Sequence, residues 1–181
     1  MYRRLNVLLE GDDDRRFFDA VIRPMLQGQY DYVETYEYAQ KTIPSRMEYL
    51  RSTKAMNADY FFMGDFNTSP CIAEKKRHLV ETYKPMLDGG RTIIVVREIE
   101  SWYLAGLDDE GRQEFGISTN HHRHTNDLTK EQFEDLMPMK FGSIIDFMNE
   151  ILSRFRIDTA ETKNRSFCYL MDKLEARSEE A

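Results

Sequence analysis

The sequence has few cysteines, no long apolar run and no excess of positive charge. Its two cysteines, Cys71 and Cys168, belong to no CxxC pattern, so we expect neither a disulfide framework nor a zinc knuckle, and a reducing cytoplasm fits best. The apolar stretch before Glu10 is much shorter than the apolar region of a signal peptide. No segment approaches the roughly 20 apolar residues that a membrane span requires. We therefore expect a cytoplasmic protein that makes no membrane contact.

The charge balance is acidic. The chain carries 25 Lys and Arg against 32 Asp and Glu, a net charge of −7, which argues against a surface that simply coats nucleic acid. Basic residues gather locally at 75–78 and at 121–124, and both groups are candidate phosphate contacts. We prefer a solvated helix face for the first group and a surface loop for the second, because no Cys or helical spacing gives its histidines a zinc pattern.

Length and composition allow one core with a small addition. At 181 residues and 41% hydrophobic content, the chain can bury one sizeable core. The sequence shows no internal repeat and no low-complexity tract. We therefore divide it into an α/β core over residues 1–107 and a helical extension over residues 108–181 that packs on the core.

Short apolar runs alternate with amphipathic segments over the first 100 residues or so, which is typical of strands buried in a parallel sheet. We predict four strands, at Leu5–Glu10, Val33–Ala39, Asp59–Gly64 and Arg91–Arg97. The second strand alternates in polarity and is expected at a sheet edge. Helices are predicted between the strands, from Asp13 to Leu26, from Pro44 through Met56, and from Ser69-Pro70 to about Tyr83. This order predicts a Rossmann-like α/β fold, a four-stranded and mostly parallel sheet flanked by helices.

The last part of the chain has a different pattern of apolar and polar residues. A short helix over Ile99–Leu107, in which Trp102 is expected to lie in the core, is followed by a polar connection over residues 108–127. Three further helices are predicted, at Thr129–Leu136, Phe141–Phe155 and Thr162–Leu174.

Acidic residues follow three of the predicted strands. Glu10, Asp65 and Glu98 each come directly after an apolar run, and the carboxyl ends of parallel strands meet at the edge of a sheet where ligands bind. Glu100 lies two residues further on, and Asp14 lies one turn into the first helix. Carboxylates that converge repel one another unless a cation or a shared proton compensates. The pattern therefore predicts a divalent metal site.

Three motifs within residues 5–107, and more loosely a fourth near the end of the chain, carry a resemblance to a known family. Residues 8–14, Leu-Leu-Glu-Gly-Asp-Asp-Asp, resemble the opening of Toprim domains, in which a glutamate ends the first strand. Asp65-Phe66-Asn67 stands where those domains keep a DxD pair. Residues 98–105 resemble a stretch of small stand-alone bacterial Toprim-like proteins of unknown function, related to the overcoming-lysogenization-defect (OLD) nucleases. Residues 164–167, Asn-Arg-Ser-Phe, are similar to a polar SF motif near the end of that family.

The resemblance implies a metal-dependent nuclease that hydrolyses phosphodiester bonds in DNA or RNA with Mg²⁺ or Mn²⁺, in phage defence and beside a partner ATPase. Oxygen ligands suit these hard cations, and a bound metal can activate water. The implied metal ligands are Glu10, Asp65, Asn67 and Glu98 or Glu100. Asp14 is the candidate general base, and Lys76 is expected to reach the site from the third helix.

One departure from the family pattern leaves an alternative open. Asn67 replaces the second acid of the DxD pair, and a neutral amide oxygen binds cations less strongly than a carboxylate. The alternative is a catalytically degenerate Toprim module that binds nucleic acid or a partner ATPase without cleaving. A primase-like transferase ranks lower, because the chain has no nucleotide-binding loop. Asp12 and Asp13 fit the capping chemistry of a helix start, and an exposed edge strand makes a homodimer plausible.

Overall fold

The computed structural model describes residues 2–66, 71–119 and 122–179, with residues 177–179 described by their backbone alone. The chain forms two compact units that divide between Val95 and Val96. The predicted boundary after residue 107 is a different division of the chain and stays a prediction.

The first unit contains a four-stranded sheet. Its strands are β1 (Arg4–Leu9), β2 (Tyr32–Glu37), β3 (Asp59–Asp65) and β4 (Thr92–Val95). Their order is β2-β1-β3-β4 and every pairing is parallel, so the predicted α/β fold is confirmed. The most polar strand, β2, lies at an edge as its alternation predicted, whereas β1 is central and buried from its second residue onward.

The first helical segment continues from α1 (Asp12–Phe17) through a π-helical turn (Phe18–Ile22) into α2 (Arg23–Met25). Pro24 has no N–H to donate to the preceding turn, which accounts for the irregularity here. The next two helices are α3 (Ile43–Ala55) and α4 (Ile72–Thr82). The side chain of Thr42 caps α3 by accepting a hydrogen bond from the Ser45 N–H at 3.3 Å.

Strand β4 is shorter than predicted. The prediction extended it to Arg97, but the strand ends at Val95 because Arg97 has a φ of +66°, in the left-handed region that a strand cannot continue through. The chain turns there, and Glu98 consequently follows a turn instead of a strand.

The second unit is helical over its described residues. Its helices are α5 (Glu100–Ala105), α6 (Asp109–Glu114), α7 (Lys130–Asp135), α8 (Ile144–Ser153), α9 (Ile157–Lys163) and α10 (Arg165–Glu179).

Two boundaries in this unit differ from the sequence prediction. The connection over residues 108–127 contains α6, because the side chain of Asp108 accepts a hydrogen bond from the Gly111 N–H at 2.9 Å and caps a short helix. The helix predicted over Thr162–Leu174 is interrupted at Asn164, whose backbone is extended and which begins a new helix. The predicted cap at Thr129 is confirmed, since its hydroxyl accepts the Gln132 N–H at 3.4 Å.

The core of the second unit joins two of the sequence motifs. Trp102 is fully buried, as predicted, and its indole N–H donates to the Ser166 hydroxyl at 2.8 Å. The ring of Phe167 meets Trp102 edge-on at 5.4 Å between ring centres. Asn164 accepts hydrogen bonds from the backbone N–H groups of Ser166 and Phe167, both at 3.1 Å. The Asn-Arg-Ser-Phe motif therefore has a structural role in this unit.

Of the helices described, none is both long enough and apolar enough to cross a lipid bilayer.

Candidate functional site

The structure brings Glu10 and Asp65 together at the carboxyl edge of the sheet. Strands β1 and β3 are direct neighbours; Glu10 follows β1, and Asp65 is the last residue of β3. The Glu10 carboxylate accepts a hydrogen bond from the backbone N–H of Asp65, with 3.2 Å between Oε2 and the nitrogen. The parallel pairing of two strands thus places both acidic residues at one edge.

Tyr38 completes this cluster and was not predicted. It follows β2, and its buried hydroxyl donates to the Met63 carbonyl oxygen at 2.9 Å and lies 3.4 Å from Glu10 Oε2. Burial raises the pKa of Tyr38, and the negative charges of Glu10, Asp14 and Asp65 raise it further. The phenol therefore stays protonated at neutral pH, as a hydrogen-bond donor beside the Glu10 carboxylate.

A glycine makes room for that hydroxyl. A methyl group added to Gly64 would lie 2.8 Å from the Tyr38 oxygen, closer than a carbon and an oxygen can approach without displacement. Gly64 is thus required for Tyr38 to reach the carbonyl of Met63 beside it.

Asp14 lies at the start of α1, where it is 6% exposed. Its Oδ2 accepts a hydrogen bond from the Gly11 N–H at 3.1 Å, which satisfies one of the donors at the helix start. Asp12 and Asp13, predicted as helix-start residues, pair with arginines three residues later, Arg15 and Arg16. Asp14 is therefore the acid of this triplet that adds its charge to the surroundings of Tyr38.

Glu98 and Glu100 lie in the second unit, where both interact with Lys130 at the start of α7. Glu98 Oε2 accepts a hydrogen bond from the backbone N–H of Lys130 at 2.6 Å. Glu100 is 2% exposed and pairs with the Lys130 ammonium at 3.1 Å. The first contact places a carboxylate at the positive end of a helix, and the second balances a buried charge. Both acids thus have a structural role that the sequence pattern did not indicate.

Two predicted site residues remain, Lys76 and Asn67. Lys76 is a half-buried residue of α4, and Asn67 lies outside the described residues. On the same helix Arg77 pairs with Glu74 at 3.5 Å, and both side chains are well exposed. That pairing supports a solvated helix face for part of the basic group at 75–78.

The described residues provide few ligands for a metal. Within residues 2–66, 71–119 and 122–179, no three His, Cys, Asp or Glu side chains are grouped in a way that could hold an ion. Mg²⁺ commonly takes one or two carboxylates and keeps several waters, and Glu10 and Asp65 are of that type. Among the described residues, both hydrogen bonds to the Glu10 carboxylate end on Oε2. The two carboxylates of Glu10 and Asp65 fit a single, largely hydrated cation better than a pair of metals.

No protein-family model matches the chain, and no curated protein matches it. Among solved structures it is similar to the C-terminal region of the Burkholderia pseudomallei OLD protein, with 13% sequence identity, a TM-score of 0.49 and full coverage of both chains. Because this likeness is weak, the fold described above rests on the strands and helices of the chain itself.

Proposed function

We propose that this chain hydrolyses phosphodiester bonds of DNA or RNA with a divalent cation, Mg²⁺ or Mn²⁺, held at the carboxyl edge of the sheet. The observation that carries the proposal is the cluster of Glu10, Asp65 and Tyr38 at the ends of adjacent parallel strands. That edge is where ligands bind in open α/β sheets, and the cluster holds hard oxygen donors.

The chain's own residues have distinct roles in this proposal. The carboxylates of Glu10 and Asp65 are the proposed ligands, and Tyr38 and the backbone N–H of Asp65 orient Glu10. When bound, the cation would supply charge neutralisation for the phosphate and an acidified water. Asp14 is the proposed general base, because it lies in the first turn of α1 and its carboxylate contacts the backbone N–H of Gly11, the residue after Glu10. Lys76, Asn67, Glu98 and Glu100 remain proposed contributors of charge or ligands.

The test measures metal binding and cleavage on the same set of variants. Mn²⁺ binding is followed by calorimetry for the wild type, Glu10→Gln and Asp65→Asn, and cleavage is assayed with single-stranded DNA, RNA and plasmid. We expect each variant to lose Mn²⁺ binding and at least about a hundredfold in cleavage rate. Glu34→Gln changes an exposed carboxylate on β2 and should behave as the wild type. Equal cleavage by all four proteins would show that the activity comes from elsewhere.

The second candidate is a non-cleaving module that binds nucleic acid or a partner ATPase. It is favoured by the small number of carboxylates grouped among the described residues and by Asn67 in the DxD position. A chain that binds nucleic acid, binds no Mn²⁺ and cleaves none of the three substrates would support it.

A homodimer is a further proposal, and sedimentation of the purified chain measures it directly.

A role in phage defence belongs to the first proposal. It predicts that cells expressing the wild-type chain, with its native partner ATPase where one exists, resist phage plating and that cells expressing Glu10→Gln do not. Equal plating on both would oppose that role while leaving the hydrolysis test unaffected.

A further inference from the structure

A cleft lies at the end of the sheet where the strands begin, opposite their carboxyl ends. It has a volume of about 470 Å³ and is lined by residues around the starts of β1, β3 and β4. The strands are parallel and rise about 3.3 Å per residue, so the six residue steps from Arg4 to Glu10 separate the two ends of the sheet by about 20 Å. The cleft is therefore distinct from the carboxylate cluster.

The cleft carries a local excess of positive charge. Its cations are Arg3, Arg4, Lys54 and Arg91, and its acids are Asp59 and Asp88. Arg91 is paired with Asp59 at 2.9 Å, and Asp88 accepts a hydrogen bond from the Gly90 N–H at 2.8 Å. Arg3, Arg4 and Lys54 have no carboxylate within ion-pair distance in the part of the chain that is described. Four cations against two acids give the cleft a net charge of +2, which on a chain of net charge −7 points to an anionic ligand.

Tyrosine rings accompany these cations. The Arg4 guanidinium lies over the rings of Tyr2 and Tyr32, at 5.3 and 5.7 Å from their centres, and Arg3 lies 4.9 Å from the ring centre of Tyr30. Tyr2 is 62% exposed and Tyr32 is 46% exposed. One Arg4 N–H group donates to the Met56 sulfur at 3.5 Å, and a guanidinium has four further N–H donors that can bind phosphate. The exposed rings offer surfaces on which bases can stack.

Phosphate donors interleaved with exposed aromatic rings are typical of surfaces that bind single-stranded nucleic acid. We propose that this cleft binds single-stranded nucleic acid, with backbone phosphates on Arg3, Arg4 and Lys54 and one base stacked on Tyr2. A neighbouring base would stack on Tyr32, which is not a lining residue but lies beside the cleft through its contact with Arg4. A cleft of about 470 Å³ is of the size that holds one nucleotide-sized group at a time. A duplex keeps its base faces stacked inside, so it leaves the tyrosines unused.

The test is a filter-binding titration with a labelled oligothymidylate of about 12 nucleotides in EDTA, at several salt concentrations. The wild type should bind with an affinity that falls as salt rises. Arg4→Gln and Lys54→Gln should each reduce the slope of log affinity against log salt by about 0.7, the value for one lost phosphate contact on a single strand. Tyr32→Leu should weaken binding about fivefold or more and leave the slope unchanged, because stacking releases no counterions.

Arg51→Gln is the matched control. Arg51 is an exposed arginine of α3, the helix that carries Lys54, and it pairs with Glu48 outside the cleft. The affinity and salt slope of the Arg51→Gln variant should equal those of the wild type. Circular dichroism spectra establish that every variant is folded. Glu10→Gln and Asp65→Asn should bind the oligonucleotide normally in EDTA, which separates this proposal from the proposed hydrolysis.

Three results would overturn the proposal. The first is a double variant, Arg4→Gln with Lys54→Gln, that binds no more weakly than the wild type, which includes no binding by either protein. The second is tighter binding of a duplex than of the single strand. The third is a pair of observations that would indicate a small-anion site. Inorganic tripolyphosphate would bind as tightly as the oligonucleotide, and Tyr32→Leu would bind the oligonucleotide as tightly as the wild type does.

Discussion

Glu10 is held by the main chain of Asp65, since its carboxylate accepts the Asp65 backbone N–H at 3.2 Å. The position of one acid is thus independent of the side chain of the other. Asp65→Asn keeps this hydrogen bond and removes only the charge of its own side chain. A loss of metal binding in Asp65→Asn would therefore report on the chemistry of Asp65 and not on a displaced Glu10.

Tyr38→Phe should destabilise the first unit by about 1–3 kcal/mol, because the Met63 carbonyl loses its buried phenol donor. The unfolding free energy from urea titration measures this effect. Tyr36→Phe is the control on the same edge of the sheet. Its ring stacks on Tyr49, and its hydroxyl makes no hydrogen bond within the described residues, so a change below about 0.5 kcal/mol is expected. Equal effects of the two substitutions would contradict the role given to the Tyr38 hydroxyl.

Gly64→Ala should displace the Tyr38 hydroxyl, since the added methyl group would lie 2.8 Å from it. We expect a loss of about 1–3 kcal/mol in unfolding free energy. In the Tyr38→Phe background the same substitution should cost less, because the clashing oxygen is absent, and a double-mutant cycle measures that difference. Gly11→Ala is the control, because a methyl group there meets no atom within 4 Å. Additive effects of the pair would show that the clash does not matter.

Asn164→Ala should be the most damaging polar substitution tested in the second unit. The Asn164 amide accepts three hydrogen bonds and donates to the hydroxyls of Ser101 at 3.2 Å and Thr125 at 3.0 Å. We expect a loss of about 2–4 kcal/mol from the missing cap and the unsatisfied buried groups. Asn126→Ala removes one exposed hydrogen bond, to the Arg165 N–H, and should cost under about 1 kcal/mol. Similar losses in the two variants would contradict this account.

The raised pKa of Glu161 predicts that the stability of the folded chain depends on pH. Burial raises its pKa above the ordinary value of 4.5, and the charges of Glu175 and Asp172 add to the effect. The folded state therefore binds the proton of Glu161 more tightly than the unfolded state does. The stability that this preference contributes is complete below pH 4.5 and is lost as the pH rises through the pKa of Glu161 in the folded state. Glu161→Gln should match the wild type at low pH and be more stable at pH 7, by a few tenths of a kcal/mol given the solvent screening.

Thermal unfolding between pH 4 and pH 8 checks the sign of this effect, with Glu134→Gln, an exposed carboxylate of α7, as the control. A stability gain in Glu161→Gln that is equal at both ends of the range would show that the carboxyl does not titrate differently on folding.

Features set by local pattern could be predicted from the sequence. Each strand follows from a short apolar run, and the meeting of Glu10 and Asp65 follows from the parallel direction of β1 and β3. The position of β2 at an edge follows from its alternating polarity. These properties depend on periodicity and strand direction, which the sequence carries directly.

Features that depend on distant neighbours could not be predicted. Tyr38 gains its role from Met63, which lies 25 residues away along the chain, and no motif links the two. Glu98 and Glu100 are engaged by Lys130, some thirty residues further on. The left-handed φ of Arg97 also has no local signal, because such conformations are usually adopted by Gly or Asn. In each case tertiary contacts decide what a local pattern leaves open.

The burial of Trp102 has a practical consequence. It is the single tryptophan of the chain, and its indole is enclosed with Ser166 and Phe167 in the second unit. Its fluorescence emission therefore reports on that unit alone, whereas the ten tyrosines are spread over both. Comparing tryptophan emission with far-ultraviolet ellipticity during denaturation would thus tell whether the two halves of this protein melt in one cooperative step or in two.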